Sequence, residues 1–197
     1  MSDATAAKMP PARGHSHPHL AQVLFTPRQI AVRVARLAHE ITRSHAAAGP
    51  SGLTLVAVAN GALVFAADLL RHLPHPTRFD LVRVSTYHDA TAPAALPTVH
   101  QFPRLDLHNG HVLLVDDILD TGHTLHHLQG IFRERYRPAS LKTCVLLDKP
   151  ARRRIAVNAD FYGFQIPDHF VVGYGLDYAE HYRNLPCIGV LDPALVP

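Results

Sequence analysis

The residues best suited to chemistry lie close together, in the segment 112–125. An apolar run, 112–115, is followed by two adjacent carboxylates, Asp116 and Asp117, and then by Asp120, Thr121, Gly122, His123 and Thr124. An apolar run of this kind is typical of a buried parallel strand, and such strands present functional groups at their carboxyl ends. The segment therefore predicts a strand that delivers charged side chains to a ligand.

Residues 120–124 have the composition of a phosphate-binding turn. Gly122 lets the backbone turn closely around a ligand, and the N–H groups at the start of a following helix can donate to a phosphate together with the Thr121 and Thr124 hydroxyls. On this interpretation a side chain at position 122 would meet the phosphate and leave the fold intact. The alternative is an ordinary acidic loop in which Asp120 caps a helix, since Asp is common at that position.

The acidic pair indicates what else the ligand carries. Asp116 and Asp117 cannot bind phosphate, because like charges repel, but they suit hydroxyl groups or a hydrated metal ion. A ligand with both a phosphate and a sugar diol fits this combination.

The surrounding sequence predicts a scaffold of alternating strands and helices. Apolar runs predict strands at 53–59, 79–86, 112–115 and 141–147, and apolar periodicity predicts helices at 62–72 and 122–135. This alternation favours an α/β fold with a central, mostly parallel sheet flanked by helices. Ligands of such sheets bind at the carboxyl ends of the strands, where the acidic pair lies.

The N-terminal region divides into a tail and a helix. Residues 1–19 are rich in Pro, Ala and His and predict a disordered tail, so that 20–197 form a single domain. Thr26, Pro27 and Gln29 form a capping-box pattern, and the apolar periodicity that follows predicts a helix that ends before Gly49 and Pro50. Residues 87–110 lack periodicity and predict a mobile functional loop.

Composition excludes several classes of function. The chain has 197 residues, 47% of them hydrophobic, and a net charge of only +3, which gives weak support for a nucleic-acid partner. No apolar run approaches the ~20 residues that a membrane span needs. Two cysteines are too few for a disulfide framework, so we expect a reducing compartment, the cytoplasm.

Two regions carry a resemblance to a known family. The string from the apolar strand through Asp116, Asp117 and the Asp120-Thr121-Gly122-His123-Thr124 turn resembles the 5-phosphoribosyl diphosphate motif of type I phosphoribosyltransferases. Residues 160–178 and 180–185, taken with 147–149, are similar to the purine-binding region of the hypoxanthine-guanine enzymes of that family. The resemblance runs from about 56 to 190, and it implies the family fold with a small hood over the base.

The resemblance implies a role for each matching residue. Asp116 and Asp117 would bind the ribose 2′ and 3′ hydroxyls, Asp120 would act as general base toward the purine N7 proton, and residues 120–124 would hold the 5′-phosphate. Phe170 would stack on the purine, the Val171 backbone carbonyl would contact its edge, and Lys149 would donate to the exocyclic O6. Asp177 would hold Mg²⁺ through water, and Arg183 would contact the pyrophosphate.

The sequence departs from the family pattern at three places. Asn60 precedes Gly61 in the pyrophosphate loop, where many members have Lys, and the Ala59–Asn60 peptide bond is expected to be cis by analogy. The mobile loop of the family usually carries Ser-Tyr, whereas this chain has Thr86 and Tyr87. His123 occupies a position where Lys is frequent.

The implied function is purine salvage with Mg²⁺ as cofactor. The expected partners are 5-phosphoribosyl diphosphate and a 6-oxopurine base, hypoxanthine or guanine, with no nucleic acid and no membrane, in a homo-oligomer by analogy with the family. Three alternatives stay open: an adenine or pyrimidine enzyme, a xanthine-preferring enzyme, and a non-catalytic nucleotide sensor that binds RNA.

Overall fold

The computed structural model describes residues 17–45, 52–85 and 97–195. The strands are β1 (Leu20–Phe25), β2 (Leu53–Ala59), β3 (Arg78–Ser85), β4 (Thr98–Gln101), β5 (His111–Leu119), β6 (Ser140–Asp148), β7 (Phe161–Gln165), β8 (Val171–Val172) and β9 (Ile188–Leu191). The α-helices are α1 (Pro27–His45), α2 (Leu63–His72) and α3 (His123–Ile131).

The main sheet has six strands in the order β4-β3-β2-β5-β6-β7. Every neighbouring pair is parallel except β3 and β4, which are antiparallel. The predicted α/β fold with a mostly parallel sheet is thus confirmed. The strand order reverses between β2 and β5, the kind of switch point at which open α/β sheets bind ligands.

Helices and loops cover both faces of this sheet, as the apolar strands require. Along β2, Leu55 and Ala57 join the core formed with α1 and α2, whereas Val56 and Val58 join the core formed with α3. Successive side chains of a strand point to opposite faces, so a strand that is apolar throughout can serve two cores at once.

Helix α1 begins as its sequence predicts. The Thr26 backbone N–H donates to Gln29 Oε1 over 2.9 Å, and the Gln29 N–H donates back to Thr26 Oγ1 over 3.4 Å. This is the reciprocal capping box. The buried face of the helix consists of the residues that the periodicity selects: Ile30, Val34, Leu37, Ala38 and Ile41.

A second sheet has three antiparallel strands in the order β1-β9-β8. We call this sheet the hood. Its central strand, β9, pairs with β1 near the start of the chain and with β8 on the other side. The His19 carbonyl also accepts from the Asp192 N–H over 2.9 Å, which extends the contact between the two ends of the described chain.

Several boundaries differ from those predicted. The 87–110 segment contains β4 and is therefore not one continuous loop, and the hood strand β1 was not predicted. The helix predicted at 122–135 ends at Ile131 and continues as a π-helical turn, Phe132–Tyr136. Strands β7, β8 and β9 were not predicted either. Each of the five missed strands has six residues or fewer, so it carries little periodic signal.

Part of the prediction lies outside the described residues. This applies to residues 1–16 of the predicted tail, to Gly49 and Pro50, and to Thr86 and Tyr87. Within the described ranges, no helix is long and apolar enough to cross a membrane.

Candidate active site

A cavity of about 380 Å³ lies at the carboxyl ends of β2 and β5. It brings together most of the residues that the sequence selects: Asn60, Gly61, Asp116, Asp117, Asp120, Thr121, Gly122, Thr124, Asp177 and Arg183. These residues come from distant parts of the chain, and the parallel sheet places them at one edge.

The acidic pair occupies the floor of the cavity at the end of β5. Asp116 is buried, with 7% of its surface exposed, and its Oδ1 accepts from the Asp117 N–H over 2.9 Å. Burial, and then the charge of Asp117, raises the pKa of Asp116 well above its usual range. Burial also raises the pKa of Asp117. Two carboxylates held together in this way favour a ligand that brings positive charge or hydroxyl donors.

The loop after β2 packs directly on Asp117. A Cβ atom at Gly61 would stand 1.8 Å from Asp117 Oδ2, so only glycine leaves this carboxylate in place. Gly175 is equally constrained, because a Cβ there would lie 2.3 Å from the Gly61 carbonyl oxygen. The Ala59–Asn60 peptide bond is cis, as the resemblance implies.

The phosphate loop leads from β5 into α3 through a left-handed glycine. Gly122 is the N-cap of α3, with φ of +94°, and its carbonyl accepts from the His126 N–H over 3.0 Å. The first N–H groups of a helix have no partner within it and are available to an anion. His123 Nδ1 lies 3.0 Å from Thr121 Oγ1, which ties the variable position of the motif to a hydroxyl of the loop.

The structure corrects one alternative and one expectation about this loop. Asp120 does not cap α3, because Gly122 is the N-cap and no side chain bonds there. A Cβ at Gly122 would meet the protein itself, 2.7 Å from Val157 Cγ1 and 3.2 Å from Arg153 Cδ. The expectation that a side chain at this position leaves the fold intact is therefore wrong.

The segment that contacts Gly122 also holds the loop from behind. The N–H groups of Arg154 and Ile155 donate to the Thr121 carbonyl over 2.9 and 3.2 Å, and the Arg153 guanidinium donates to the carbonyls of Leu119 and Asp120. These bonds fix the backbone of the phosphate loop independently of any ligand.

The Asp120 carboxylate forms an ion pair that the sequence did not reveal. Its Oδ1 lies 3.2 Å from Arg152 Nε, and Arg152 Nη1 lies 3.5 Å from Asp168 Oδ2. Asp120 first, and then Asp168, raises the pKa of Arg152. In the sequence Arg152 is the first of three consecutive arginines, and only its position in the fold singles it out.

The residues expected at the purine lie beyond this ion pair, outside the lining of the main cavity. Lys149 is buried, and its Nζ lies 3.9 Å from Asp168 Oδ1. Burial lowers the pKa of Lys149, and the carboxylates of Asp120 and Asp168 oppose that effect. Phe170 is an aromatic ring left 45% exposed, in edge-to-face contact with Tyr178, and the next residue, Val171, begins β8.

Asp177 and Arg183 form the opposite wall. Arg183 Nη1 lies 2.9 Å from Asp177 Oδ1 and donates to the Gly175 carbonyl over 2.9 Å. Arg183 also pairs with Glu180 at 2.9 Å, whose pKa it lowers. Ala179, Glu180 and Tyr182 all have positive φ, a backbone conformation that is uncommon for non-glycine residues.

A metal ion would depend on its ligand for most of its coordination. Within the described ranges, no group of three or more His, Cys, Asp or Glu side chains is arranged to hold a metal. Asp177 offers a single hard oxygen donor group beside the cation Arg183. This donor set fits Mg²⁺, which is commonly bound by one or two carboxylates together with substrate phosphates and water.

Comparison with known proteins gives consistent matches. Residues 23–179 match the family model described as a phosphoribosyl transferase domain. The chain is 41% identical over 172 residues to the hypoxanthine-guanine phosphoribosyltransferase of Streptococcus pneumoniae, covering 87% of this chain and 93% of that one. It is 40% identical over 176 residues to the Bacillus subtilis enzyme of the same name, covering 89% and 96%.

Solved structures agree with the sequence matches. The hypoxanthine phosphoribosyltransferase of Trypanosoma cruzi in complex with the product IMP superposes with a TM-score of 0.85 at 36% identity, covering 91% of this chain and 98% of that one. A hypoxanthine phosphoribosyltransferase from Staphylococcus aureus superposes with a TM-score of 0.86 at 35% identity, covering 92% and 96%.

Proposed function

This chain belongs to the phosphoribosyltransferase family, and from that membership we infer that it serves purine salvage as a hypoxanthine-guanine phosphoribosyltransferase. The reaction joins the ribose phosphate of 5-phosphoribosyl diphosphate to N9 of hypoxanthine or guanine, giving IMP or GMP and pyrophosphate. The observation that carries this conclusion is the match to hypoxanthine-guanine enzymes over 87 to 89% of the chain.

The reaction is a displacement at the anomeric carbon. The bond from N9 to C1′ forms as the bond from C1′ to the pyrophosphate oxygen breaks, and the purine loses its N7 proton. We assign that proton to the carboxylate of Asp120, which lines the cavity. Positive charge develops on the ribose in the transition state, and the acidic pair beneath it would stabilise that charge.

The 5-phosphoribosyl group would bind across the end of β5. Asp116 and Asp117 would accept hydrogen bonds from the 2′ and 3′ hydroxyls. These bonds would offset the free-energy cost of burying the two carboxylates. The 5′-phosphate would lie at the N-terminus of α3, where Thr121, His123 and Thr124 surround the turn made by Gly122.

The purine would lie against Phe170, with its O6 toward Lys149. An exposed aromatic face suits stacking on a flat base, and it does not distinguish one purine from another. Lys149 supplies the distinction, because its ammonium group can donate to the O6 acceptor of hypoxanthine but not to the amino group of adenine. We assign the backbone carbonyl of Val171 to the edge of the base.

The pyrophosphate would lie between the first loop and the Arg183 wall. Asn60 and Gly61 come from the loop after β2, and Arg183 faces them across the same cavity. When bound at Asp177, Mg²⁺ would offset the negative charge of the leaving pyrophosphate. Thr86 and Tyr87, which lie outside the described residues, are proposed to cover this end and exclude water.

Two further properties are proposals by analogy. We propose a homo-oligomer, a dimer or a tetramer, which size-exclusion chromatography with light scattering would identify. We also propose a cytoplasmic location, because the sequence has only two cysteines, too few for the disulfide framework of a secreted protein.

A steady-state assay tests the function directly. The purified protein should convert hypoxanthine and guanine with 5-phosphoribosyl diphosphate in the presence of Mg²⁺, and it should not convert adenine. Removal of Mg²⁺ with EDTA should abolish turnover. Xanthine, the fourth base of the assay, tests for a xanthine preference.

The same assay separates an enzyme from a nucleotide sensor. Tight binding of IMP by calorimetry without turnover of any base would overturn the proposal. In that case a filter-binding assay with RNA should detect the complex that a regulator of this fold must form.

A further inference from the structure

Arg152 lies at a junction between the two halves of the site. It contacts Asp120, from the phosphate loop, at 3.2 Å and Asp168, from the segment that leads to Phe170, at 3.5 Å. Asp168 in turn lies 3.9 Å from Lys149 Nζ. Opposite charges therefore alternate along a row of four side chains, Asp120, Arg152, Asp168 and Lys149, from the phosphate loop to the base.

The contact with Asp120 engages only one carboxylate oxygen. Arg152 Nε bonds Oδ1, and across the part of the chain that the structure describes no group donates to Oδ2. The backbone of Asp120 is held separately, through its carbonyl, by the Arg153 guanidinium. Arg152 therefore controls the orientation of the carboxylate, while the position of the residue is fixed by other contacts.

Arg152 is itself rigidly placed relative to Lys149. Its N–H donates to the Lys149 carbonyl over 3.1 Å in the short 3-10 turn Pro150–Arg152, and the Lys149 N–H donates to the Leu119 carbonyl over 3.0 Å. One turn of chain thus connects the side chain that would contact O6 with the side chain that holds Asp120. O6 and N7 are neighbouring atoms on the same edge of a 6-oxopurine, so this connection matches the ligand.

We propose that Arg152 is a positioning residue for the transfer reaction, which holds Oδ1 of Asp120 so that Oδ2 faces the N7 proton of the bound purine. The inference rests on the proposed function, in which Asp120 accepts that proton. Arg152 itself touches neither the base nor the reacting carbon in this arrangement. Its effect should appear in kcat, through the geometry of proton transfer.

The test is a double-mutant cycle on kcat. Arg152→Ala should lower kcat by about tenfold and Asp120→Asn by about a hundredfold or more, whereas the double variant should be no slower than Asp120→Asn alone. The KM for 5-phosphoribosyl diphosphate should stay within about twofold. Arg152→Lys should restore only part of the loss, because an ammonium group cannot reproduce the fixed direction of the guanidinium.

Two controls exclude a merely structural effect. Arg133→Ala removes the same charge from an exposed side chain on the π-helical turn Phe132–Tyr136, away from the site, and should leave kcat unchanged. Arg152 is 44% exposed, so its ion pairs contribute little to stability, and the Tm of Arg152→Ala should fall by less than about 3 °C. Guanidinium ion at millimolar concentration should raise kcat of Arg152→Ala but not of the wild type.

The outcomes distinguish this inference from the proposed function. If the wild type turns over hypoxanthine and the two losses multiply, Arg152 acts independently of Asp120 and the inference is wrong while the function stands. A raised KM for 5-phosphoribosyl diphosphate with unchanged kcat would make Arg152 a phosphate ligand and would also overturn the inference. If the wild-type protein turned over no base, both the proposed function and the inference about Arg152 would be wrong.

Discussion

Asp116 and Asp117 are neighbouring carboxylates whose charged forms are disfavoured by burial. Their side chains lie next to each other at the end of β5, and burial raises the pKa of both. The fold holds them where water cannot fully solvate them. Stability is lost in this way when a site is preorganised for a ligand.

The first prediction follows from the sign of this effect. An acid with a raised pKa in the folded state binds its proton more tightly there, so stability falls as pH rises above the ordinary value of 3.8. Asp116→Asn should therefore raise the free energy of unfolding at neutral pH by on the order of 1 kcal/mol, a rise in Tm of about 2 to 4 °C. The gain should vanish as pH approaches about 4, where Asp116 is protonated. Thermal unfolding followed across this pH range measures it.

Glu134→Gln is the matched control for this prediction. It neutralises an exposed carboxylate on the π-helical turn, and its Tm should follow that of the wild type at every pH. Asp116→Asn should meanwhile lose transfer activity, since the ribose hydroxyls lose a charged acceptor. A lower Tm for Asp116→Asn at neutral pH would show that the charge stabilises the fold.

The second prediction concerns Lys149. Lys149→Met keeps length and removes the ammonium group, so the KM for hypoxanthine should rise by about tenfold or more, as expected for the loss of a charged hydrogen bond. The KM for 5-phosphoribosyl diphosphate should change little. Lys142→Met, at the opposite end of β6, should leave both constants unchanged. If Lys149→Met raised the KM for hypoxanthine and the KM for 5-phosphoribosyl diphosphate equally, Lys149 would not be a base-recognition residue.

The sequence showed which residue types belong to the site better than it showed which side chains pair with one another. The sequence selected Asp120 but not Arg152, because nothing in the local pattern distinguishes Arg152 from the two arginines that follow it. Arg183 shows the opposite case: the sequence selected it, and it lines the cavity while also pairing with Glu180.

The strands and helices around the site could be predicted well, because their burial determines the spacing of apolar residues in the sequence. The strands β2, β5 and β6 are apolar throughout because both faces are buried, and α1 shows its buried face at helical spacing. Strand β5 extends to Leu119, beyond the predicted end at 115, because Asp116, Ile118 and Leu119 continue to pair with β6. Polar residues inside a strand carry no hydrophobic signal, so this extension could not be predicted.

The third prediction concerns the start of α3. Gly122→Ala places a Cβ 2.7 Å from Val157 Cγ1 in a left-handed backbone conformation, and should cost about 2 to 3 kcal/mol of stability. The segment after Arg152 would have to shift, so IMP binding measured by calorimetry should weaken together with the Tm.

Gly130→Ala is the control within the same helix. A Cβ at Gly130 meets nothing within 4 Å, and alanine is the better helix former, so this variant should be unchanged or more stable by about 0.5 to 1 kcal/mol. An unaltered Tm for Gly122→Ala would mean that the segment 153–157 moves aside without cost.

The molecule as a whole combines two sheets. Apolar runs in the sequence predict the central strands of the main sheet, but they do not predict the strands of the hood. The resemblance to a known family implied a hood, but periodicity did not give its strands. Strand β1 pairs with β9, so Phe25 lies opposite Ile188. Pairing between residues this far apart leaves no trace in either segment alone, which is why β1 was missed.

The fourth prediction concerns the first strand of the hood. A chain that begins at His17 keeps β1 and the 2.9 Å contact between His19 Nδ1 and Tyr182 Oη, and should keep the Tm of the full chain. A chain that begins at Pro27 leaves one side of β9 unpaired. Its Tm should fall by more than about 5 °C, and its KM for the purine should rise more than its KM for 5-phosphoribosyl diphosphate. If the two shortened chains had the same KM for the purine, β1 would not contribute to base binding.

The position of β9 also sets an order on biosynthesis. The main sheet ends at Gln165, so a nascent chain can complete the phosphate loop and its supports while the last residues are still being translated. The hood cannot form then, because its middle strand, Ile188–Leu191, emerges from the ribosome after the other described strands, and β1 has no partner strand until it does. A polypeptide that stalls or terminates early would therefore hold the phosphate loop and Lys149 without the hood, whose strand β8 begins at Val171.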